Sequence, residues 1–192
     1  KKKKILNRTD LSIEYINGEG PFTNLFDGLN FDKGILIASS TNKFSGNGNI
    51  DQSKGFYVLE DDVWINYNSL LNSELKELGF QQAFTSTVTD RYYYFGSWGR
   101  GVSRLNKETK EIKVFDETNS SLRGWPADDP NFPVITGLDT DTNDDVWLVS
   151  RYGGSPLYRQ TPGEDDWQSF EENSSVSSSD LYENLFIDSY NQ

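Results

Sequence analysis

Three five-residue runs 58 and 53 positions apart, short strands rich in aromatic and β-branched residues, and acid- or glycine-rich turns between them predict an all-β fold. The pattern is that of a β-propeller fragment, with about three complete four-stranded blades plus partial flanking blades. The runs are Ile35-Leu36-Ile37-Ala38-Ser39, Tyr93-Tyr94-Phe95-Gly96-Ser97 and Val146-Trp147-Leu148-Val149-Ser150. After each comes a strand, and then another in which an apolar residue stands three places before an aromatic: Trp64 and Tyr67, Ile112 and Phe115, Trp167 and Phe170. An Asn-Ser pair follows at 68–69, 119–120 and 173–174.

The elements are read in order as strands a to d of each blade. LSIEYI (11–16) is the last strand of an earlier blade, so residues 1–21 close that blade. Residues 22–68, 84–119 and 134–173 form the three complete blades, and LYENLFIDSYNQ (181–192) matches the first strand of a further one. In the middle blade the alternation of apolar and polar residues places the strands at about 84–90, 92–98, 101–106 and 110–116. Ile37, Phe95 and Trp147 are expected at equivalent buried positions of the second strands. The longest helical segment is SLLNSELKELG (69–79). The chain has no methionine, so it reads as a slice of a longer protein.

Thirty acidic residues against eighteen basic ones give a net charge of −12, which repels nucleic acid and anionic membranes at long range. No apolar run approaches ~18 residues, so no membrane span is expected. KKKKIL has a basic start with no apolar core behind it, unlike an intact signal peptide. With neither cysteine nor histidine, thiol nucleophiles, disulfides, Ser-His-Asp triads and histidine-bound zinc are excluded. DTDTNDD (139–145) has alternate acids like a calcium loop. It carries Asp144 where that loop needs glycine and Ser150 where it needs glutamate, so it is read as an acidic turn with no metal. Nothing marks a catalytic pair among the carboxylates, and the expectation is a protein without enzymatic activity or cofactor.

FGSWGRGVSRLN (95–106) resembles a phosphate loop only superficially. Its glycines run in the reverse order, no lysine follows, and a strand rather than a helix comes next. It is read as the b–c turn of the middle blade, with SRYGGSP (150–156) as the b–c turn of the next. Long connections at 40–54, 69–83 and 116–133 all leave from the face that carries the b–c turns, and loops on a rigid scaffold are where binding concentrates. Trp98, Arg100, Arg151 and Tyr152 are therefore the candidate ligand-binding residues: a flat ring beside a guanidinium suits an acidic sugar or a carboxylate-rich protein segment. The competing reading is that the aromatics cover a blade seam while the arginines, with Arg104 and Arg159 on strands c, pair with nearby carboxylates.

The stretch TDTNDDVWLVSRYGGSPLYRQTPGEDDWQSF resembles the propeller repeat of the two-component-regulator type. YYYFGSWGRGVSRLN together with VITGLDTDTNDDVWLVSRYGGSPLYRQ is similar to the PorZ-type propeller family of the bacterial type IX secretion system. The resemblance implies a non-catalytic propeller at the cell surface or in the periplasm of a Gram-negative bacterium. It further implies a sortase-like secretion partner protein, or an anionic polysaccharide such as lipopolysaccharide, as the bound species. The alternative it allows is the periplasmic oligosaccharide-sensing propeller of a hybrid two-component regulator. The family repeat usually has glycine in the a–b turn, where this chain has Asp144-Asp145 and Arg91.

Overall fold

The computed structural model describes residues 3–6, 13–16, 20–21, 26, 28–39, 55–80, 83–124, 131–151, 156–171 and 182–190, with the backbone alone for 3–6 and 13–16. A hairpin-like pair, β1 (Lys3–Leu6) and β2 (Ile13–Ile16), comes first. The sequence reading places one strand there; the structure pairs it with a second. Then follow β3 (Gly28–Asp32), β4 (Ile35–Ser39), β5 (Phe56–Glu60) and β6 (Val63–Tyr67) as one antiparallel sheet of four strands in chain order. After helix α1 (Ser73–Glu77) come β7 (Thr85–Val88), β8 (Tyr92–Gly96), β9 (Val102–Asn106) and β10 (Ile112–Phe115). The last sheet holds β11 (Ile135–Thr140), β12 (Val146–Ser150), β13 (Leu157–Gln160) and β14 (Gln168–Phe170). Each of these three sheets is a four-stranded meander, and the first strands β3, β7 and β11 lie side by side. That is the blade arrangement of a propeller, with the a strands innermost.

The helix is shorter than 69–79 for local reasons. The Asn68 side chain accepts from the Leu70 and Leu71 N–H groups and holds those residues in a turn. At the other end Gly79 takes a positive φ of 70°, which closes the helix. Leu75 is its one buried residue and plugs the gap between the first and middle blades.

Two cores form, one in each seam. In β8 the side chains alternate faces: Tyr93 and Phe95 join the core shared with the first blade, and Tyr92 and Tyr94 join the core shared with the third. A strand covered on both faces needs no polar face, which is why YYYF reads as a continuous apolar run. Phe56 stacks on Phe95 at 3.6 Å in the first seam. Trp167 sets its ring edge-on to Tyr94 and Phe115 in the second. Burying each such ring contributes about 1.5–3 kcal/mol.

The register corrects one expectation. Asp32 pairs with Ile35, Thr89 with Tyr92 and Asp141 with Asp145 at the three a–b hairpins. Counting from these pairs makes Ile37, Tyr94 and Trp147 equivalent, opposite Val58, Arg104 and Arg159 of the c strands. Phe95 is one place off, and a one-residue shift in a strand reverses the face. Trp147 is also half-buried rather than buried, because the side of the third blade from which it projects is not covered by another complete sheet among the described residues.

Residues 182–190 contain no strand among the described residues, yet they run beside β11 as β11 runs beside β7. Thr136 Oγ1 donates to the Tyr182 carbonyl, and Ile187 N–H donates to Asp139 Oδ2. In the three sheets an a strand gains its ladder from its own b strand, and among the described residues no strand pairs with this segment.

Candidate functional site

The b–c turn of the middle blade is fastened to the strand that enters the third. Trp98 forms a β-bridge with Val134, Gly99 N–H donates to the Pro133 carbonyl, and Ile135 N–H donates to the Ser97 carbonyl. Arg151, leaving the third blade's b strand, donates its own N–H to the Val134 carbonyl. Trp98 and Arg151 thus flank one residue, and the Arg151 guanidinium lies 5.7 Å from the Trp98 ring centre, in the range of a cation–π contact. The Phe84 ring tilts against the other part of Trp98 at 5.8 Å. Arg151 also forms an ion pair with Glu183.

Phe84 and Glu183 of this group line a cavity of about 380 Å³. It opens where β3, β7 and β11 begin, so it sits at the axis on the face of the b–c turns. Asn30, Ser86 and Thr136 line it together with Phe84 and Glu183. Asn30 donates to the Ser86 carbonyl at 2.7 Å, which ties the first blade to the middle one through the cavity wall. The wall is polar and neutral apart from Glu183, whose charge Arg151 answers. A polyhydroxylated ligand can exchange hydrogen bonds with such a wall while an aromatic at the mouth covers its apolar side.

The predicted residues are thus distributed unevenly. Trp98 and Arg151 come together, with Trp98 half-buried and Arg151 held by both a ring and a carboxylate. Arg100 is exposed on the same turn but points away, over Gly79 at the end of α1. Tyr152 lies outside the described residues. Phe84 and Glu183 escaped the sequence reading: each sits at an inner strand entry in an ordinary-looking run, FTST or YENL, and only the packing of neighbouring blades brings it to the b–c turns.

The opposite face holds a second cluster. Lys33, Asp90 and Asp144 stand in the a–b turns of the three blades; Lys33 Nζ contacts Asp90 Oδ1 at 2.5 Å and Asp144 Oδ1 at 2.8 Å. Burial alone would lower the lysine pKa, but hydrogen bonds to the two carboxylates outweigh it and hold the pKa above its ordinary value. The Asp90 carboxyl is held below the usual range by the same hydrogen bond. In the 139–145 turn, Asp141 Oδ1 accepts from the Asn143 and Asp145 N–H groups and Oδ2 from the Trp147 indole. Asp141 thus serves the turn itself, whereas Asp144 reaches the other two blades and Asp139 the 182–190 segment.

No protein-family model and no curated protein matches the chain. Solved structures do. PorZ of Porphyromonas gingivalis, described as an essential bacterial surface component of the type IX secretion system, is 19% identical with a TM-score of 0.67. The match covers 84% of this chain and 22% of PorZ. The Malassezia sympodialis allergen Mala s 1 matches at 14% identity and TM-score 0.55, over 91% of this chain and 58% of the allergen. The extracellular domain of BT4673 from B. thetaiotaomicron matches at 16% identity and TM-score 0.47, over 84% of this chain and 18% of that domain. The chain has a β-propeller fold. It spans less than a quarter of PorZ, and among its described residues no helix is long and apolar enough to cross a membrane.

Proposed function

We propose that this chain is part of a non-catalytic surface propeller that binds an acidic polysaccharide on the face of its b–c turns, as a component of type IX secretion attachment. The observation that carries this reading is the row of Phe84, Trp98 and Arg151 on the b–c face, whose Phe84 end lines the axial cavity. An indole and a phenyl ring offer flat surfaces to sugar rings, and the neutral cavity wall takes hydroxyl groups. Arg100, exposed on the same turn but directed over Gly79, offers its charge to acidic substituents that extend past the row toward α1. The fold shared with PorZ supports a place at the outer surface of a Gram-negative bacterium, and the absence of histidine and cysteine supports a binding role.

The test is binding of the full-length protein to anionic lipopolysaccharide and to its deacidified form, by calorimetry. Arg100→Ala and Trp98→Ala should each weaken binding to the acidic form about tenfold or more, as loss of a hot-spot residue does. Added salt should weaken the arginine-dependent part alone. Unchanged affinity in both variants, with a melting temperature several degrees lower for Trp98→Ala, would make this row seam packing and remove the proposal.

A further inference from the structure

The two sides of a blade are comparable position by position in this molecule. The forward side of the middle blade presents Tyr94, Arg104 and Phe115, and the third blade covers it: Tyr94 is 1% exposed and Phe115 0%. Trp167 closes over both rings, the Tyr94 hydroxyl donates to Gln160 Oε1 across the seam, and Arg104 reaches Asp165 at 2.9 Å. The forward side of the third blade presents Trp147, Arg159 and Phe170 at the same three positions. Trp147 and Phe170 stack at 5.5 Å, both are half-buried, and the Arg159 side chain is 36% exposed against 11% for Arg104.

The polar groups on the two sides are answered differently. On the third blade the Trp147 indole donates to Asp141, and Arg159 donates to Gln168 Oε1 and faces Asp145 at 3.7 Å, all within the blade. On the middle blade Arg104 and Lys113 both depend on Asp165 of the neighbour. What the third blade leaves for a partner is therefore the ring surface of Trp147 and Phe170, with no charge to be matched.

We propose that this side is the seam for a further blade whose innermost strand is residues 182–188, and that this blade seats a large apolar residue on the Trp147–Phe170 stack, in the place Trp167 takes on Tyr94 and Phe115, without supplying a counterpart to Asp165. Residues 182–188 already occupy the inner part of the seam through Tyr182 and Ile187. The proposal is independent of any ligand on the b–c face.

Hydroxyl-radical footprinting of the full native chain tests it. Trp147 and Phe170 should be protected to the level of Tyr94 and Phe115 at every protein concentration. Gly137→Ala supplies the second measurement, because a Cβ there would stand 2.4 Å from the Leu185 nitrogen and displace the inner segment. Modification of Trp147 and Phe170 should then rise together while Tyr94 and Phe115 stay protected. Ready modification in the native chain overturns the proposal. So does protection that disappears on dilution, which would indicate a second copy, or protection that survives Gly137→Ala.

Discussion

Lys33 Nζ lies 2.8 Å from Asp144 Oδ1 across 111 positions of the chain, and the same Asp144 carboxylate accepts the Asp90 backbone N–H. One aspartate in an a–b turn therefore fastens three blades near the axis, on the face opposite the b–c turns. Lys33→Met should lower the melting temperature modestly at low salt, and the difference should shrink as salt is raised. The pH dependence has a definite sign. Asp90 is depressed, so its contribution is present above the ordinary aspartate pKa and fades as pH falls through the folded value. Lys33 is raised, so its contribution is complete below the ordinary lysine value and fades as pH rises through the folded one. Wild type and Lys33→Met should differ most between about pH 4 and pH 10 and converge outside that window. Thermal melts of both proteins across the range check this.

Phe95 is the centre of the first seam, stacked at 3.6 Å on Phe56 with both rings fully buried. Phe95→Ala should cost about 3–5 kcal/mol, and Phe95→Leu distinctly less because it leaves a smaller void. Denaturant unfolding of the two variants provides the comparison. A cost below ~1 kcal/mol for the alanine would mean that the blades do not share this core.

Gly101 precedes β9 at φ 65°, and its counterpart Gly55 precedes β5 at φ 66°. A Cβ at Gly101 would meet the Phe115 carbonyl oxygen at 2.0 Å, and one at Gly55 the Tyr67 carbonyl oxygen at 1.7 Å. The obstacle is the backbone of strand d, which cannot rotate away like a side chain. Either substitution by alanine should cost more than the ~1–2 kcal/mol of a left-handed residue alone. Gly163→Ala is the control: its φ is 88° with open space around it, so it should carry the conformational cost without the clash.

Burial raises the pKa of Tyr93 and of Tyr94, and Tyr93 is raised further by its hydrogen bond to Glu60. Both should remain protonated beyond the pH at which exposed tyrosines ionise. A raised folded value means that this contribution to stability is complete below about pH 10, the unfolded tyrosine value, and is lost as pH rises through the folded one. Ultraviolet titration should show a late fraction of tyrosine ionisation that coincides with unfolding, and Tyr94→Phe should reduce that fraction. Complete titration at the ordinary value in a folded sample would contradict the burial of these hydroxyls.

Much of the architecture was legible because it repeats. Trp64 and Tyr67, Ile112 and Phe115, Trp167 and Phe170 align as the sequence places them, since strand d keeps its spacing from blade to blade and carries polar residues between them that mark its register. Strand b gave a one-residue error in the middle blade, and its cause is physical. Covered on both sides, Ile35 to Ser39 and Tyr92 to Ser97 are apolar at nearly every position and carry no polar marker of register. The hairpin pairs Asp32 with Ile35 and Thr89 with Tyr92 fix it, and those are tertiary facts.

The candidate site divides along the same line. Trp98, Arg100 and Arg151 could be found from the sequence because glycine turns between strands announce where side chains leave the scaffold. Their fates differ for reasons that no turn contains. Arg151 meets Trp98 because both flank Val134 from the following inner strand, and it meets Glu183 because residues 182–188 run beside β11. Arg100 leaves in the other direction, toward α1.

By itself the sequence determined the all-β class, the four-strand repeat, the approximate place of most strands in the three blades, and the chemistry ruled out by the lack of cysteine and histidine. These follow from local alternation, from turn residues and from which side chains exist. Only the tertiary structure decided which residues share a seam, that an axial cavity lined by Phe84 and Glu183 lies on the b–c face, and that Lys33 joins the turns of three blades. Such contacts link residues 50 to more than 100 positions apart. Their partners are set by how twisted sheets pack face to face around an axis, which the local pattern of any single blade leaves open.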